Sequence, residues 1–282
     1  MPELPEVETT LLGLKPHLMQ RTIKNIIVRH HQLRWPIPQD IQHHLQDQSI
    51  ENMYRRGKYL LITTTNGTVI IHLGMSGRLS LVKTSSPAGK HDHIDVQFHN
   101  DLVLRYTDPR RFGAFLWTPV HPIEQHPLLN QLGIEPFDSR FTGDYLWQKA
   151  QKRRMPIKAF IMNHHIVVGV GNIYATEALF LSGIHPAAPA YSVTQSQMQT
   201  LCSHIKDVLH RAILQGGTTL KDFLGSDGKP GYFNLKLQIY GRAGSPCHQC
   251  NTLIEKQIIA QRNSAFCPRC QPLDDRSKTI KK

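Results

Sequence analysis

The 282-residue chain carries 33 Lys and Arg against 21 Asp and Glu, a formal charge of +12 with its 17 histidines neutral. That length allows two compact domains and a further small module, and with no apolar run near the roughly 20 residues that span a bilayer and no signal-peptide pattern at the N-terminus, a soluble, intracellular protein is expected. The positive excess favours a polyanionic partner through phosphate contacts and counterion release, while ribosomal, membrane-surface and plain solubility roles stay open.

The chain opens Met1-Pro2-Glu3-Leu4-Pro5-Glu6. Val7, Leu11, Leu14 and Leu18 recur at helical spacing, the prolines suit a helix start, and Glu6 and Glu8 suit its positive end. The same residues also admit a chemical reading. If Met1 is removed, Pro2 becomes a secondary amine beside the Glu3 carboxyl group, a nucleophile next to an acid. An α-amine titrates near 7.7 to 8.0 and a lysine near 10.4, so the terminus offers roughly a hundredfold more uncharged amine at neutral pH. Its attack on a sugar carbon gives an iminium with no N–H proton to lose. With Met1 retained the nitrogen is an amide and this chemistry is closed. A helix start and a nucleophile are compatible, because the helix would fix the terminus.

Residues 20 to 118 read mostly as strands. Thr22 to Val28 is one, and Tyr59 to Thr64 and Thr68 to His72 form a hairpin about Asn66-Gly67. Ile94 to Phe98 and Leu102 to Tyr106 flank Asn100-Asp101 as a second, and Pro36-Ile-Pro38 and Thr84 to Gly89 are loops. Short antiparallel strands of this kind favour a sandwich or barrel. The adjacent pairs His30-His31, His43-His44 and His164-His165 read as surface positions.

Beyond about residue 130 the period becomes helical: Asp144 to Gln151, Ile157 to Asn163, and Asn172 to Ser182 ending at Gly183. Thr194-Gln-Ser-Gln197 fits a capping box ahead of the stripe Met198, Leu201, Ile205, Val208, Ala212, with Gly216-Gly217 as a stop and Cys202 a buried, inert thiol. The two last helices and the short His185 to Tyr191 connection make a helix-turns-helix unit. Thr218 to Tyr232 is expected to be a mobile loop and Pro272 to Lys282 a disordered tail.

Cys247-His-Gln-Cys250 and Cys267-Pro-Arg-Cys270 are two Cys-x-x-Cys pairs sixteen residues apart, the spacing of a four-thiolate zinc site. Disulfides compete, but the missing export signal and the fifth cysteine favour metal. Four thiolates leave no open position, so the zinc is expected to be structural. Leu253 to Glu255 and Gln257 to Gln261 suggest a hairpin too small to stand without it, with Arg262-Asn263-Ser264 at a turn.

Met1-Pro-Glu-Leu-Pro-Glu-Val-Glu-Thr9 and the cysteine module, including Arg262 and Gln271, resemble the two ends of bacterial formamidopyrimidine-DNA glycosylases; the module departs mildly at Asn251 and Leu253. The likeness runs from residue 1 to about 272. It implies an α+β fold: an N-terminal antiparallel β-sandwich with flanking helices (1–130), a helical domain with a helix-two-turns-helix unit and a lesion-capping loop (131–237), a β-hairpin zinc finger (238–272) and a tail (273–282). It implies excision of oxidised purines, 8-oxoguanine and formamidopyrimidines, from damaged duplex DNA through a Schiff base on Pro2, followed by β- and δ-elimination. Glu3 would handle protons, and Lys58 in Arg55-Arg-Gly-Lys58 and Arg262 would assist elimination.

An everted base leaves a hole in the stack. Met75 in Leu73-Gly-Met-Ser-Gly77 and Arg110 and Phe112 in Asp108-Pro-Arg-Arg-Phe-Gly113 resemble the residues that fill it, Arg110 hydrogen-bonding the orphaned base. His91, Arg153 in the acid-free stretch Lys149 to Arg154, and Asn172 in Gly169-Val-Gly-Asn172 correspond to backbone contacts, the glycines letting N–H groups approach a phosphate. One structural Zn2+ and no redox cofactor are implied, in a cytoplasmic bacterial monomer. A relative preferring oxidised pyrimidines, or a zinc-finger DNA binder without catalysis, remains the alternative.

Overall fold

The computed structural model describes residues 2–217 and 237–273. Met1, the Thr218 to Tyr232 loop and the tail past residue 273 lie outside the described residues. The chain divides into two compact units, one built on residues 2–131 with 213–217 and one on residues 132–212 with 237–273.

The first unit begins with α1, Leu4–Leu18. Glu3 is its N-cap, Pro5 stands in the first turn where no helical N–H is needed, and Glu3 and Glu6 form a capping box. Val7, Leu11, Leu14 and Leu18 are all buried, as their spacing predicted. Eight strands follow: β1 (Ile23–Val28), β2 (Ile50–Arg56), β3 (Tyr59–Thr64), β4 (Gly67–His72), β5 (Arg78–Lys83), β6 (Asp92–Phe98), β7 (Leu102–Thr107) and β8 (Ala114–Thr118), with the short helix α2 (Ile41–Leu45) between β1 and β2. They form two four-stranded sheets of order β1-β6-β7-β5 and β2-β3-β4-β8, antiparallel throughout. Ile26, Val96, Leu104 and Leu81 from one sheet share a core with Leu60, Ile62, Val69 and Ile71 from the other and with the apolar face of α1. Each such side chain contributes about 1.5–3 kcal/mol on burial.

The β3–β4 hairpin differs in one detail from its sequence signal. Thr64 pairs with Gly67, so the loop is Thr65-Asn66 and the glycine belongs to the strand. A Cβ at Gly67 would fall 2.5 Å from the Thr118 carbonyl oxygen. Its smallness thus serves the approach of β8 rather than a turn angle.

In the second unit α3 (Gly143–Ala150), α4 (Ile157–Ile161), α5 (Asn172–Leu181) and α6 (Gln195–Gly217, as far as Ala212) match the helical periods. Thr194 N–H donates to Gln197 Oε1 at 3.0 Å and Gln197 N–H to Thr194 Oγ1 at 3.2 Å, the expected capping box. Met198, Leu201, Ile205 and Ala212 are fully enclosed and Cys202 is buried, its thiol pushed up by burial. Gly183 ends the α5 region with φ +65°. No helix among the described residues is long and apolar enough to cross a membrane.

The cysteine module ends the unit with β9 (Glu255–Ile259) and β10 (Arg262–Phe266), an antiparallel pair in which Arg262 faces Ile259. This corrects the expected turn at Arg262-Asn263-Ser264: the turn is Ala260-Gln261, with φ +47° and +62°. Two non-glycine residues in left-handed conformation carry no sequence signal, and Arg262 instead starts the second strand. Asn251 adopts φ +61°, as an asparagine can, and the turn survives the departure from the usual residue. The start and end of the module are tied to the helical part of the unit. Glu177 accepts the backbone N–H groups of Gln238, Ile239 and Tyr240 at 2.8–3.0 Å, and Gln271 donates to the Ile184 carbonyl while accepting from Cys267 N–H.

Candidate active site and nucleic-acid interface

The cap of α1 sets the first site. Glu3 is 1% exposed, and its N–H donates to Glu6 Oε2 at 2.7 Å, which fixes the backbone immediately after Pro2. Pro2 itself is partly exposed, outside the helix. A buried carboxyl group thus follows Pro2 directly, at a point whose direction is set by a helix packed in the core. From β2, Arg55 reaches Glu8 Oε2 at 2.6 Å and the Gly57 carbonyl at 2.9 Å. Gly57, at φ +59°, and Lys58 form the two-residue turn from β2 to β3, so the lysine stands on a turn braced to α1.

His72, at the end of β4, lies against Tyr59 with ring centroids 4.9 Å apart. Its Nδ1 accepts the Gly74 N–H at 3.0 Å. Burial, with Lys58 and Arg34 nearby, pushes the imidazole down to about 4, so it is neutral at physiological pH. No sequence pattern singled it out, because a histidine ending a strand carries no spacing signal.

Two loops of the sandwich carry the three residues resembling void fillers. Met75 and Phe112 are each 43% exposed, unusual for large apolar side chains on loops tied down beneath. The Arg110 guanidinium lies 4.7 Å from the centre of the Phe112 ring. Beneath them Asp108 is fully buried and accepts from Ser76 Oγ, Gly113 N–H and the Tyr106 hydroxyl. Burial and the Asp108 carboxyl raise the Tyr106 phenol well above its ordinary value, keeping it a donor.

His91 opens onto a pocket of about 360 Å³ lined by Arg29, His30, Lys90, His93 and Arg111 among others. Arg111 donates to His30 Nε2 at 2.6 Å, since a guanidinium cannot accept. His93 donates to the Asp108 carbonyl at 2.8 Å. The lining is basic apart from the Asp92 carboxylate, which accepts from Gly89 N–H and the Thr107 hydroxyl, and suits phosphate; His30, read as a surface position, serves as the seat of an arginine.

In the second unit Asn172 is the first residue of α5, with Gly171 as N-cap. Its Nδ2 donates to the Asn263 carbonyl at 3.3 Å, committing one amide hydrogen to β10. Lys158, buried at 1% exposure, donates to the same carbonyl at 3.2 Å and to Ser264 Oγ at 2.7 Å. These bonds hold the backbone beside Arg262, whose side chain is exposed. Lys158 escaped sequence reading because it sits within the apolar α4. Arg153 is exposed after α3, its carbonyl accepting from Tyr191 N–H.

The sulfur atoms of Cys247, Cys250, Cys267 and Cys270 lie within 4.8 Å of one another, with pairs at 3.4 and 3.9 Å. A tetrahedron of Zn–S bonds near 2.3 Å has edges of about 3.8 Å, so the thiols fit one zinc ion. Gln249 and Cys270 N–H groups point at the Cys247 and Cys267 sulfurs, both at 3.4 Å, the donors a bound thiolate needs.

Comparison with known proteins agrees along the chain. Residues 1–115 match the formamidopyrimidine-DNA glycosylase N-terminal domain, 132–223 the H2TH domain of the same glycosylases, and 244–273 a zinc finger found in FPG and IleRS. A formamidopyrimidine-DNA glycosylase of Nitrosococcus oceani is 55% identical over 271 residues, 96% of this chain and 100% of that protein. One of Hydrogenovibrio crunogenus is 53% identical over 281 residues, 100% of both. Among solved structures, a complex of Lactococcus lactis Fpg with abasic-site DNA is similar at TM-score 0.86 and 30% identity, covering 96% of this chain and 99% of that one. A complex of the wild-type Lactococcus lactis protein with N7-benzyl-Fapy-dG DNA gives 0.87 and 31%, covering 96% and 100%.

Proposed function

The chain belongs to the formamidopyrimidine-DNA glycosylase family, and from that premise we propose how its residues divide the work. It is a DNA glycosylase of base excision repair with a lyase step, acting on damaged duplex DNA. Oxidised purines, 8-oxoguanine and ring-opened formamidopyrimidines, are its substrates.

The Pro2 amine, freed of Met1, attacks the anomeric sugar carbon. As the N-glycosidic bond breaks the base leaves and the amine gives up its proton; the C1′–O4′ bond of the sugar then opens, Glu3 delivering a proton to O4′, and the nitrogen lone pair closes the iminium that joins protein to deoxyribose. Being a secondary amine's product it keeps its charge, and that charge acidifies the neighbouring sugar carbon. Loss of that proton expels the 3′ phosphate, and a second elimination expels the 5′ phosphate. Lys58 and Arg262 stabilise the departing phosphates; a guanidinium does not readily release a proton, so Arg262 acts as a fixed charge. Met75, Arg110 and Phe112 hold the emptied step, while His91, Arg153 and Asn172 grip the backbone. Zinc, when bound by Cys247, Cys250, Cys267 and Cys270, supplies structural cross-linking alone. The enzyme works as a cytoplasmic monomer associated with the nucleoid through its substrate.

The observation that carries this reading is the buried Glu3 at the cap of α1, one residue from the nucleophile. Borohydride reduction on lesion-containing duplex is the test: a covalent protein–DNA product in the parent, lost in Pro2→Gly, is expected, and mass spectrometry of active enzyme should find the terminus at Pro2. A retained Met1 in active protein would overturn the mechanism. Lactococcus lactis Fpg has also been solved with an oxidised pyrimidine in its DNA, so excision is to be measured on both lesion classes, with purines expected to be faster.

A further inference from the structure

The loops Leu73 to Gly77 and Asp108 to Gly113 are far apart in sequence and touch as bare backbone. A Cβ on Gly74, whose φ is +61°, would fall 2.5 Å from the Phe112 carbonyl carbon and 2.6 Å from Gly113 N. One on Gly77 would fall 2.3 Å from the Leu73 carbonyl oxygen, so the first loop is itself tightly folded. The two loops are then bonded through one hydroxyl. Ser76 Oγ donates to Asp108 Oδ1 at 2.6 Å and accepts the Arg110 N–H at 3.1 Å. A serine hydroxyl has one donor and two acceptor sites, so both bonds are made at once. Asp108 completes the ring by accepting the Arg110 N–H at 3.3 Å and the Gly113 N–H at 2.9 Å. Its oxygens meet only donors here, a role asparagine cannot fill because its amide nitrogen would face one of them.

We propose that Ser76 and Asp108 are positioning residues that make the Met75 loop and the Arg110–Phe112 loop one rigid wedge, so that filling the hole and reading the orphaned base are a single coupled act. The inference rests on the void-filling assignment of Met75, Arg110 and Phe112. All three tips meet this ring: Met75 precedes Ser76, the Arg110 N–H is on its hydroxyl, and the Phe112 backbone lies against Gly74. Held separately, each tip would lose rotational and translational order to duplex thermal motion before the step opened. Held together, an orphaned base that Arg110 cannot bond also withdraws the support for Met75. Opposite-base selectivity would then appear in the excision rate and not in binding alone.

The test compares Ser76→Ala with Ser76→Thr, which keeps the hydroxyl, in the full-length zinc-bound protein. Excision from duplex opposite cytosine and opposite adenine is measured alongside borohydride trapping on a single-stranded abasic site, where no hole needs filling. Ser76→Ala is expected to lower the ratio of duplex excision to single-strand trapping by about tenfold, to shrink the cytosine-over-adenine preference, and to be less than additive with Met75→Ala and with Arg110→Ala. Ser76→Thr restores the ratio. Additive effects, or an unchanged ratio and preference in Ser76→Ala while Met75→Ala and Arg110→Ala are impaired, overturn the coupling and leave the void-filling assignment standing. Duplex excision undiminished in Met75→Ala, Arg110→Ala and Phe112→Ala alike overturns that assignment, and the coupling with it. Asp108→Asn provides a second variant, expected to reproduce Ser76→Ala wherever its single-strand trapping shows it folded.

Discussion

Arg55 and Glu8 are joined at 2.6 Å, a bond that braces the first helix against the strand leading into the Lys58 turn. The arginine side chain is 9% exposed and the glutamate 23%, so the pair is sheltered from much of the screening that weakens surface ion pairs. Because Arg55 also holds the Gly57 carbonyl, it links the element that aims the nucleophile to the turn that carries the lysine.

Arg55→Ala is therefore expected to cost about 2 kcal/mol in stability, the scale of a charge-assisted hydrogen bond. It should slow strand cleavage more than iminium formation, because Lys58 loses its brace while the α1 cap remains. Denaturant titration and single-turnover kinetics with and without borohydride measure the two effects. Equal slowing of both steps would count against the turn as the point of action.

His72 makes stability depend on pH. Its folded value, near 4, lies below the ordinary 6.5. Above pH 6.5 both folded and unfolded chains hold it neutral, and no stability is lost. As pH falls from 6.5 towards 4 the unfolded chain takes up a proton that the folded one refuses, and stability declines by at most about 2 kcal/mol by pH 5. Protonation at Nδ1 would also remove the acceptor for Gly74 N–H and release the Met75 loop. Denaturation at pH 7.5 and 5.0 checks this, and the slope should flatten in His72→Asn.

Removal of zinc should unfold the β9–β10 hairpin, since Ile259, Ser264, Ala265 and Phe266 are its only buried residues and the four thiols, no longer cross-linked by metal, are open to oxidation. Metal analysis is expected to find one equivalent per chain. Chelation should weaken duplex binding through the loss of an ordered Arg262, while leaving the β-sandwich intact by circular dichroism. Native preparations free of zinc yet fully active would refute the site.

Glu177→Gln tests how the module is held. The carboxylate accepts three successive N–H groups, and an amide can offer only one oxygen to them. The variant should lose about 2 kcal/mol, with faster hydrogen exchange at residues 238–240 and normal exchange in β3 and β4. Unaltered exchange at 238–240 would mean that the bonds of Gln271, Lys158 and Asn172 tether the module without Glu177.

What was readable in the chain was whatever local physics signals by itself. The apolar spacing of α1 and α6, the Thr194–Gln197 box and the paired Cys-x-x-Cys runs each follow from bonds within a few residues, and each is present in the fold. The Asn66-Gly67 and Arg262-Asn263-Ser264 readings slipped by a residue or two. In the first the deciding partner was remote, β8 pressing on Gly67; in the second it was a local register, pairing Arg262 with Ile259, that placed left-handed Ala260 and Gln261 in a turn their residue types do not signal.

By itself the sequence determined the order of the elements, the thiol quartet and, through likeness to a family, the residues to watch. Only the tertiary structure decided that Ser76 bonds Asp108, that Arg55 braces the Lys58 turn, that His72 is held neutral, and that Lys158 supports the strand of Arg262. Helix caps and ligand spacing depend on neighbours along the chain, whereas burial and hydrogen-bond partners depend on residues tens of positions away, whose meeting is set by the whole packed core.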